Sequence, residues 1–331
     1  MIKMLIKEIK YQYEDNGVTS IKLETTFGKI QGLFRAFTPT EIFAWNQYNN
    51  NMNLPSPIVE LSGDPRSSLI QKLINNGVIV KYYPDIMTPY YLDHVKATLN
   101  YQLDRQFQII SLPDYKESTT EFRNKLDIAN KVISEHQNKD NCQMMPYIRL
   151  DHEKNQFENR LSAILNRNFK MLGIDVHGNN TINLSYLKEV LRKWETDIWV
   201  HGSNIPKKFD NLSKASYPHI LTYYHVHTYA LRKGRYYPTL FSENIEHFDS
   251  LQLGVIPWKD LPFSFGVDCN CPAHKQKPYF IDNVNDMYTR ARNHNMFDEQ
   301  TELHRAIIPI KENTYERYIK SKRCAKMALF G

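Results

Sequence analysis

Short apolar runs alternate with amphipathic stretches through the middle of the chain, at the spacing of repeated βα units. Pro57 to Leu61 reads as a first strand, and Leu69, Ile70, Leu73 and Ile74 as one face of a helix stopped at Gly77. Val78 to Tyr82 follows as the second strand, and Thr88-Pro89 opens a helix with a cap and then proline at its first position. Phe107 to Leu112 is the third strand, with Phe122, Leu126, Ala129 and Ile133 on the inner face of the helix behind it. Met144 to Ile148, weakened by Pro146, is the fourth, and Phe157, Leu161, Ile164 and Leu165 give its helix a stripe. Met171 to Val176 is the fifth, backed by Leu184, Leu187, Leu191 and Trp194. Ile198 to Val200, His219 to Tyr224 and Leu253 to Ile256 complete the set of strands.

Eight strands separated by helices point to the α/β class, as a (β/α)8 TIM barrel in place of an open doubly wound sheet. No glycine-rich phosphate loop follows the first strand. Residues 1–50 read as an N-terminal antiparallel β segment packed on the barrel, which takes up 51–331. Composition then narrows the class. With 331 residues, 41% hydrophobic and 24% charged, the chain has the make-up of a soluble globular protein. It holds no run of ~18 apolar residues, and its start, MIKMLIKEIK, is charged throughout, so the expectation is neither a membrane span nor a secretory leader, and a cytoplasmic location. A net charge of +6 mildly favours polyanionic partners, and 21 tyrosines leave room for base stacking.

The loudest local pattern is Cys269-Asn270-Cys271-Pro272-Ala273-His274 with a distant His294 at the start of an apolar helical stretch. Zn²⁺ takes four thiolate or imidazole ligands tetrahedrally, and closely spaced ligands plus a remote histidine are how small loops close such a site. Cys142 and Cys324 are isolated, so a disulfide framework is not indicated. Against the bland alternative of two thiols beside unrelated histidines, the spacing points to structural zinc held by Cys269, Cys271, His274 and His294, in a subdomain at about 262–300 after strand eight.

Barrel chemistry gathers where the strands end, so polar residues just past each apolar run are the candidates. They are Asp64, Asp85, Asp114, Arg149, Asp151, Asp175, His177, His201, His225 and His227. Alternation along the fifth strand puts Gly173, Asp175 and His177 on one side, which aims acid and imidazole together. Acids and imidazoles around one mouth suit proton transfer and nucleophilic attack. Asp64 and Asp151 fit helix caps or turns better. Asp85 and Asp114 precede segments with helix starts of their own, Thr88 and Ser118, which frees them for a site.

In order along the chain, these pieces resemble the tRNA-guanine transglycosylases, which are (β/α)8 barrels with a zinc subdomain after the last strand. Thr26 to Ile30 looks like the family's N-terminal hairpin, and Thr88-Pro89 leading to Asp114 like its Thr-Pro segment and the strand ending in a base-recognising Asp. Leu172 to Gly178 stands where the family has a glycine-rich strand against the nucleobase. Tyr229-Ala230-Leu231 and Gly234-Arg235-Tyr236 are similar to the archaeal branch. The zinc segment fits Cys-x-Cys-x-x-Cys with a remote His-Asn, here with His274 in place of the third Cys and His294-Asn295. His304 to Ile307 resembles the closing helix. One departure is serious: counting back from Tyr229, the position of the family's nucleophilic Asp is taken by His225.

The resemblance implies exchange of guanine for a 7-deazaguanine, such as preQ0 or a derivative, through a covalent enzyme-sugar intermediate. Asp85 is implied as the proton-handling group and Asp114 as the reader of the base, with Gly173, His177, His201 and Arg149 as further substrate contacts. Asp175 is the first substitute for the nucleophile and His225 the second; a third option is a non-catalytic, zinc-stabilised nucleic-acid-binding subunit. The compact, Asn-, Lys-, Ile- and Tyr-rich chain leaves no room for appended RNA-binding domains and looks more like the DNA-modifying branch. DNA is therefore the expected partner, tRNA the alternative, in a host or phage-encoded setting, with a homodimer allowed and no membrane. Arg232, Lys233, Arg235, Lys207, Lys208, Lys275 and Lys277 are candidates for a basic rim. An unrelated barrel hydrolase with a catalytic metal at its mouth is the remaining rival.

Overall fold

The structure, a computed structural model, describes residues 6–15, 18–25, 28–48, 58–83, 92–194, 196–232, 245–261, 271–275 and 284–331. Three strands open the chain, β1 (Ile6–Asp15), β2 (Val18–Thr25) and β3 (Gly28–Gly32), and pair antiparallel as the β preface expected at this end. The sequence then alternates β4 (Phe34–Arg35), α1 (Pro39–Tyr48), β5 (Ile58–Leu61), α2 (Ser67–Asn75), β6 (Ile79–Tyr82), α3 (Leu92–Asp104), β7 (Ile109–Leu112) and α4 (Thr119–Glu135). It continues with β8 (Gln143–Arg149), α5 (Lys154–Leu165), β9 (Met171–Asp175), α6 (Thr181–Arg192), β10 (Trp199–Ile205), α7 (Tyr217–Tyr223) and β11 (Thr228–Leu231). The antiparallel pair β12 (Glu246–Asp249) and β13 (Gly254–Pro257), a long helix Val284–Lys311 and two short terminal helices follow.

β4 to β11 form one eight-stranded parallel sheet in the order β4-β11-β10-β9-β8-β7-β6-β5. Its two edges meet through a parallel bridge between Phe37, just past β4, and Val59 of β5. There Phe37 N–H donates to Ile58 O at 2.8 Å and Glu60 N–H to Phe37 O at 3.1 Å. The sheet is thus a nearly closed, barrel-like cylinder flanked by helices. Five of the apolar runs read from the sequence lie in it within two residues of the expected bounds, and the sixth, expected to end at Val200, runs on to Ile205. The helical faces hold too: Phe122, Leu126 and Ala129 of α4, Phe157, Leu161, Ile164 and Leu165 of α5, and Leu184, Leu187 and Leu191 of α6 are buried.

Two expected strands are corrected. His219 to Tyr224 belongs to α7, which starts behind Ser216 with proline in its first turn. A short run buried on all sides carries no alternation, so periodicity alone could not separate helix from strand. Leu253 to Ile256 overlaps β13, which pairs antiparallel with β12 outside the cylinder. Their places in the sheet are taken by β11 and by the two-residue β4, too brief to show a pattern. Thr88-Pro89 lies outside the described residues.

The preface sheet lies across the amino-terminal ends of the strands. Gln143, first in β8, donates to Ile6 O at 3.0 Å, and Thr19 and Tyr11 bond the histidines that lead into β11. Among the described residues no helix is long and apolar enough to cross a membrane.

One buried cation ties the short β4 to its neighbours. Arg35 donates to Glu41 of α1 at 2.5 Å and to Glu299 of the long helix at 2.9 Å, and its backbone N–H donates to Gln300. All three charged side chains are buried. Removing one member leaves a buried charge unpaired, which typically costs about 3–5 kcal/mol. Arg35→Ala is therefore expected to lower the unfolding free energy by about that amount, read as a reduced denaturation midpoint in urea at neutral pH.

Candidate active site

The carboxyl ends of the parallel strands carry a polar cluster in two levels. At the upper level Asp175, last in β9, is buried, with the Tyr83 hydroxyl donating to Oδ1 at 2.9 Å and His177 Nε2 2.9 Å from Oδ2. His177 is a third exposed and also lies 3.4 Å from the Asn204 amide. Acid and imidazole thus meet as the alternation predicts. Gly173, two residues earlier on the same face, has no room for a side chain: a Cβ there would lie 2.5 Å from the Tyr147 ring.

The lower level joins the expected His201 to residues that the sequence does not single out. Glu60 of β5 and Lys81 of β6 stand opposite each other in register, and Lys81 Nζ donates to Glu60 Oε2 at 2.6 Å. The same oxygen accepts from Ser203 Oγ at 2.7 Å and from His201 Nε2 at 3.1 Å. The Lys81 ammonium lies 4.9 Å from the centre of the Tyr147 ring and 5.6 Å from that of Tyr83, within cation-π range. Tyr147 OH is 2.8 Å from Ser203 Oγ.

The hydrogen-bond chain fixes the state of His201. An ionised carboxylate only accepts, so Nε2 carries the proton and Nδ1 accepts from Thr228 Oγ1 at 2.7 Å, while that hydroxyl accepts from Trp199 Nε1 at 2.7 Å. Burial pushes His201 down to about 4, helped by the Lys81 cation. Burial alone would raise the Glu60 carboxyl, but Lys81 and His201 draw it down to about 2. Burial lowers Lys81 from its usual value, against the upward pull of Glu60 and, more weakly, Asp175.

Asp114, just beyond β7, is an anchor with its acceptor positions in use. It takes the backbone N–H of Lys116 and of Arg149, Arg160 Nη1 at 3.0 Å and His152 Nε2 at 2.6 Å. Burial opposes its ionisation, yet His152, Lys125 and Arg160 hold it at about 2. In this arrangement it offers no open acceptor to a nucleobase. Arg149 turns its guanidinium onto Asp151 through two bonds, and Asp151 also pairs with Lys116.

His225 and His227 do not join the mouth. With α7 a helix and β11 starting at Thr228, both precede the strand and lie at its amino end. His225 has φ of 71° and closes α7: its N–H donates to Thr222 O and that of Val226 to Leu221 O, the paired bonds of a left-handed helix terminus. Its Nε2 is 2.7 Å from Tyr11 OH, and His227 Nε2 is 2.7 Å from Thr19 Oγ1. Asp85 lies outside the described residues.

After β11, Cys271 Sγ lies 3.4 Å from His294 Nδ1, and His294 Nε2 donates to Phe248 O at 2.9 Å. Two ligands of one tetrahedral zinc, at ~2.3 Å for sulfur and ~2.0 Å for nitrogen, sit about 3.5 Å apart. A ring whose other N–H is held by a backbone carbonyl is the usual support of such a ligand. This pair could form one edge of a metal site. Cys269 and the His274 side chain lie outside the described residues, among which no three such groups converge. Of the basic candidates, Arg232 is exposed and donates to Asn204, Lys208 pairs with Glu246, and Lys207 is exposed. Lys233, Arg235, Lys277 and the Lys275 side chain lie outside the described residues.

Glu60, Lys81 and Tyr147 lie within the apolar runs, where candidates taken from just past each run do not fall; Tyr83 and Ser203 lie past the runs but are neither acids nor imidazoles. A signal existed: a charge inside a run otherwise buried on both faces, in two neighbouring strands at paired positions. No family model matches the chain, and no curated protein matches it.

The shifts set a pH dependence. His201 and the buried His219, each held near 4 against an ordinary 6.5, bind protons in the unfolded chain before the folded one. Stability should therefore fall as pH drops from 6.5 toward 4. Glu60 and Asp114 add a second loss as pH falls from about 4.5 toward 2. His201→Gln should flatten the upper limb by on the order of 3 kcal/mol at most, measured as unfolding free energy against pH.

Proposed function

We propose that this chain is a (β/α)8 barrel with a zinc-binding subdomain after its last strand, and that it exchanges guanine for a 7-deazaguanine base in nucleic acid, DNA first. The observation that carries the reading is Asp175, a carboxylate at the strand ends with a tyrosine on one oxygen and an imidazole on the other. Such a pair can pass a proton to and from a nucleobase nitrogen as the glycosidic bond breaks and re-forms. The Cys271–His294 contact supports it, because it falls where the resemblance to the transglycosylases expects zinc. Bound there, zinc would hold the segment in place through Cys271 and His294, with Cys269 and His274 as the remaining ligands, and take no part in the reaction.

In the exchange a carboxylate oxygen bonds to the sugar C1′ as the C1′–N9 bond breaks, and guanine leaves with a proton delivered to its nitrogen. The incoming base then loses its ring proton, attacks C1′ and releases the carboxylate, leaving the strand uncut. Asp175, with His177 behind it, suits the proton steps, and Tyr83 fixes its orientation.

A second reading has one observation in its favour. The position that matches the family's nucleophile, His225, is at the opposite end of the strands, so the chain could bind nucleic acid without catalysis. The two separate in one assay. Purified protein is incubated with duplex DNA, single-stranded DNA or tRNA and a labelled 7-deazaguanine, and label in the polymer is counted. Incorporation into DNA is expected, with Asp175→Ala slowing it about 10²–10⁴-fold, the range of general acid-base assistance. Label in tRNA alone would move the substrate, and binding with no label in any polymer would leave the non-catalytic reading.

Metal analysis is a separate check. Wild type should carry zinc at about one per chain, and Cys271→Ser should lose it together with thermal stability.

A further inference from the structure

We infer that Glu60 is the nucleophile of this exchange, with Lys81, Ser203 and His201 as the residues that position it; the inference rests on the transglycosylase reading above. Glu60 and Asp175 lie near the carboxyl ends of β5 and β9, and their oxygens are used differently. Both oxygens of Asp175 are engaged, by Tyr83 and His177. On Glu60 all three donors converge on Oε2, and Oε1 has no hydrogen-bond partner among the described residues. A carboxylate that attacks carbon needs one oxygen unencumbered and the other held, so that the attacking lone pair is presented in a fixed direction. Glu60 has that arrangement.

Access agrees with it. The Lys81, His201 and Ser203 side chains are fully buried, whereas that of Glu60 is 12% exposed, so of these four groups it is the one that keeps a path to a substrate. Its surroundings also settle the charge. Lys81 at 2.6 Å keeps the carboxylate ionised over the physiological range, and a weakly basic carboxylate leaves C1′ readily when the second base attacks. The neutral His201 supplies a further N–H without competing for the proton, because its other nitrogen is occupied by Thr228.

The two carboxylates then divide the work. Glu60 Oε1 forms a bond to C1′ as the C1′–N9 bond breaks, and the electron pair stays on the departing guanine, which takes a proton from the Asp175–His177 pair. The incoming 7-deazaguanine gives its ring proton back to that pair, forms the new bond to C1′ and frees Glu60 as a carboxylate. Protons and electrons balance with no other reactant. Ser203 links the two: its Cα pairs with Asp175 in the β9–β10 register while its hydroxyl holds Glu60.

The test is covalent trapping. Wild type and labelled DNA, without incoming base, are quenched in acid and denaturant, digested, and the sugar-bearing peptide is located by mass spectrometry. In parallel, exchange is measured with the incoming base present. The expected result is an adduct on Glu60, with Glu60→Gln forming none and losing exchange by at least ~10³-fold. Because Glu60→Gln strips Lys81 of its partner, the double variant Glu60→Gln, Lys81→Met is made as well. It should fold, by circular dichroism, and remain inactive. An adduct on Asp175 or elsewhere, or a Glu60→Gln protein that still traps DNA, overturns the assignment while leaving the exchange reading intact. Absence of exchange by wild type on any polymer overturns both.

Discussion

A lysine ammonium with no exposed surface sits inside the parallel sheet, and most of what is distinctive about this protein follows from keeping it charged. An isolated buried ammonium would give up its proton or unfold the chain. Lys81 avoids both through Glu60 at 2.6 Å and two aromatic faces. That pairing pins one oxygen of Glu60, which draws in Ser203 and His201. His201 in turn requires an acceptor-to-donor handover from Thr228 and Trp199. One ion pair thus organises side chains from β5, β6, β10 and β11, strands that meet only because the cylinder nearly closes at the Phe37–Val59 bridge.

The two ends of the cylinder handle polarity in opposite ways. At the amino end the preface sheet seals the opening, and its polar contacts run between Tyr11, Thr19, His225 and His227. Burial, with His225 beside it, holds His227 well below its ordinary value, and Val200 N–H donates to its Nδ1, so this end is plugged by a neutral ring. At the carboxyl end an ion pair and a carboxylate-imidazole pair lie inside the cylinder, and Glu60 and His177 keep part of their surface open. On the proposed reading the chemistry belongs to the carboxyl end, because electrostatic catalysis needs groups that are fixed yet reachable.

Most of the cylinder was legible because strands buried on both faces read as nearly continuous apolar runs, and six of the eight did. β4 is two residues long, β11 mixes a threonine and a tyrosine with only two aliphatic residues, and α7 is as apolar as a strand, so three elements near the seam lay below what periodicity resolves. Within the site, Asp175, His177 and Gly173 were visible as polar or small residues at a strand end. Glu60 and Lys81 were not sought, since each interrupts its own run. Their signal is pairwise, an acid and a base at matched positions of adjacent strands, and it appears only once the register is known. The Cys271–His294 approach was readable from spacing alone, because metal ligands are named by type and interval and not by burial.

Environment, more than residue type, separates the two inner carboxylates. Asp175 is bridged by two groups that can each give up or accept a proton, a phenol and an imidazole, so its neighbourhood can shuttle protons as a unit. Glu60 is held by a lysine, a serine and an imidazole locked neutral, so its own neighbourhood resists proton movement and preserves charge. Two acids whose surroundings push them toward different tasks are the arrangement from which paired-carboxylate chemistry is built. Here the difference traces to strand order. Glu60 faces β6 and its lysine, Asp175 faces the loop after β9 and its histidine, and Ser203 on β10 holds the first while lying in register with the second.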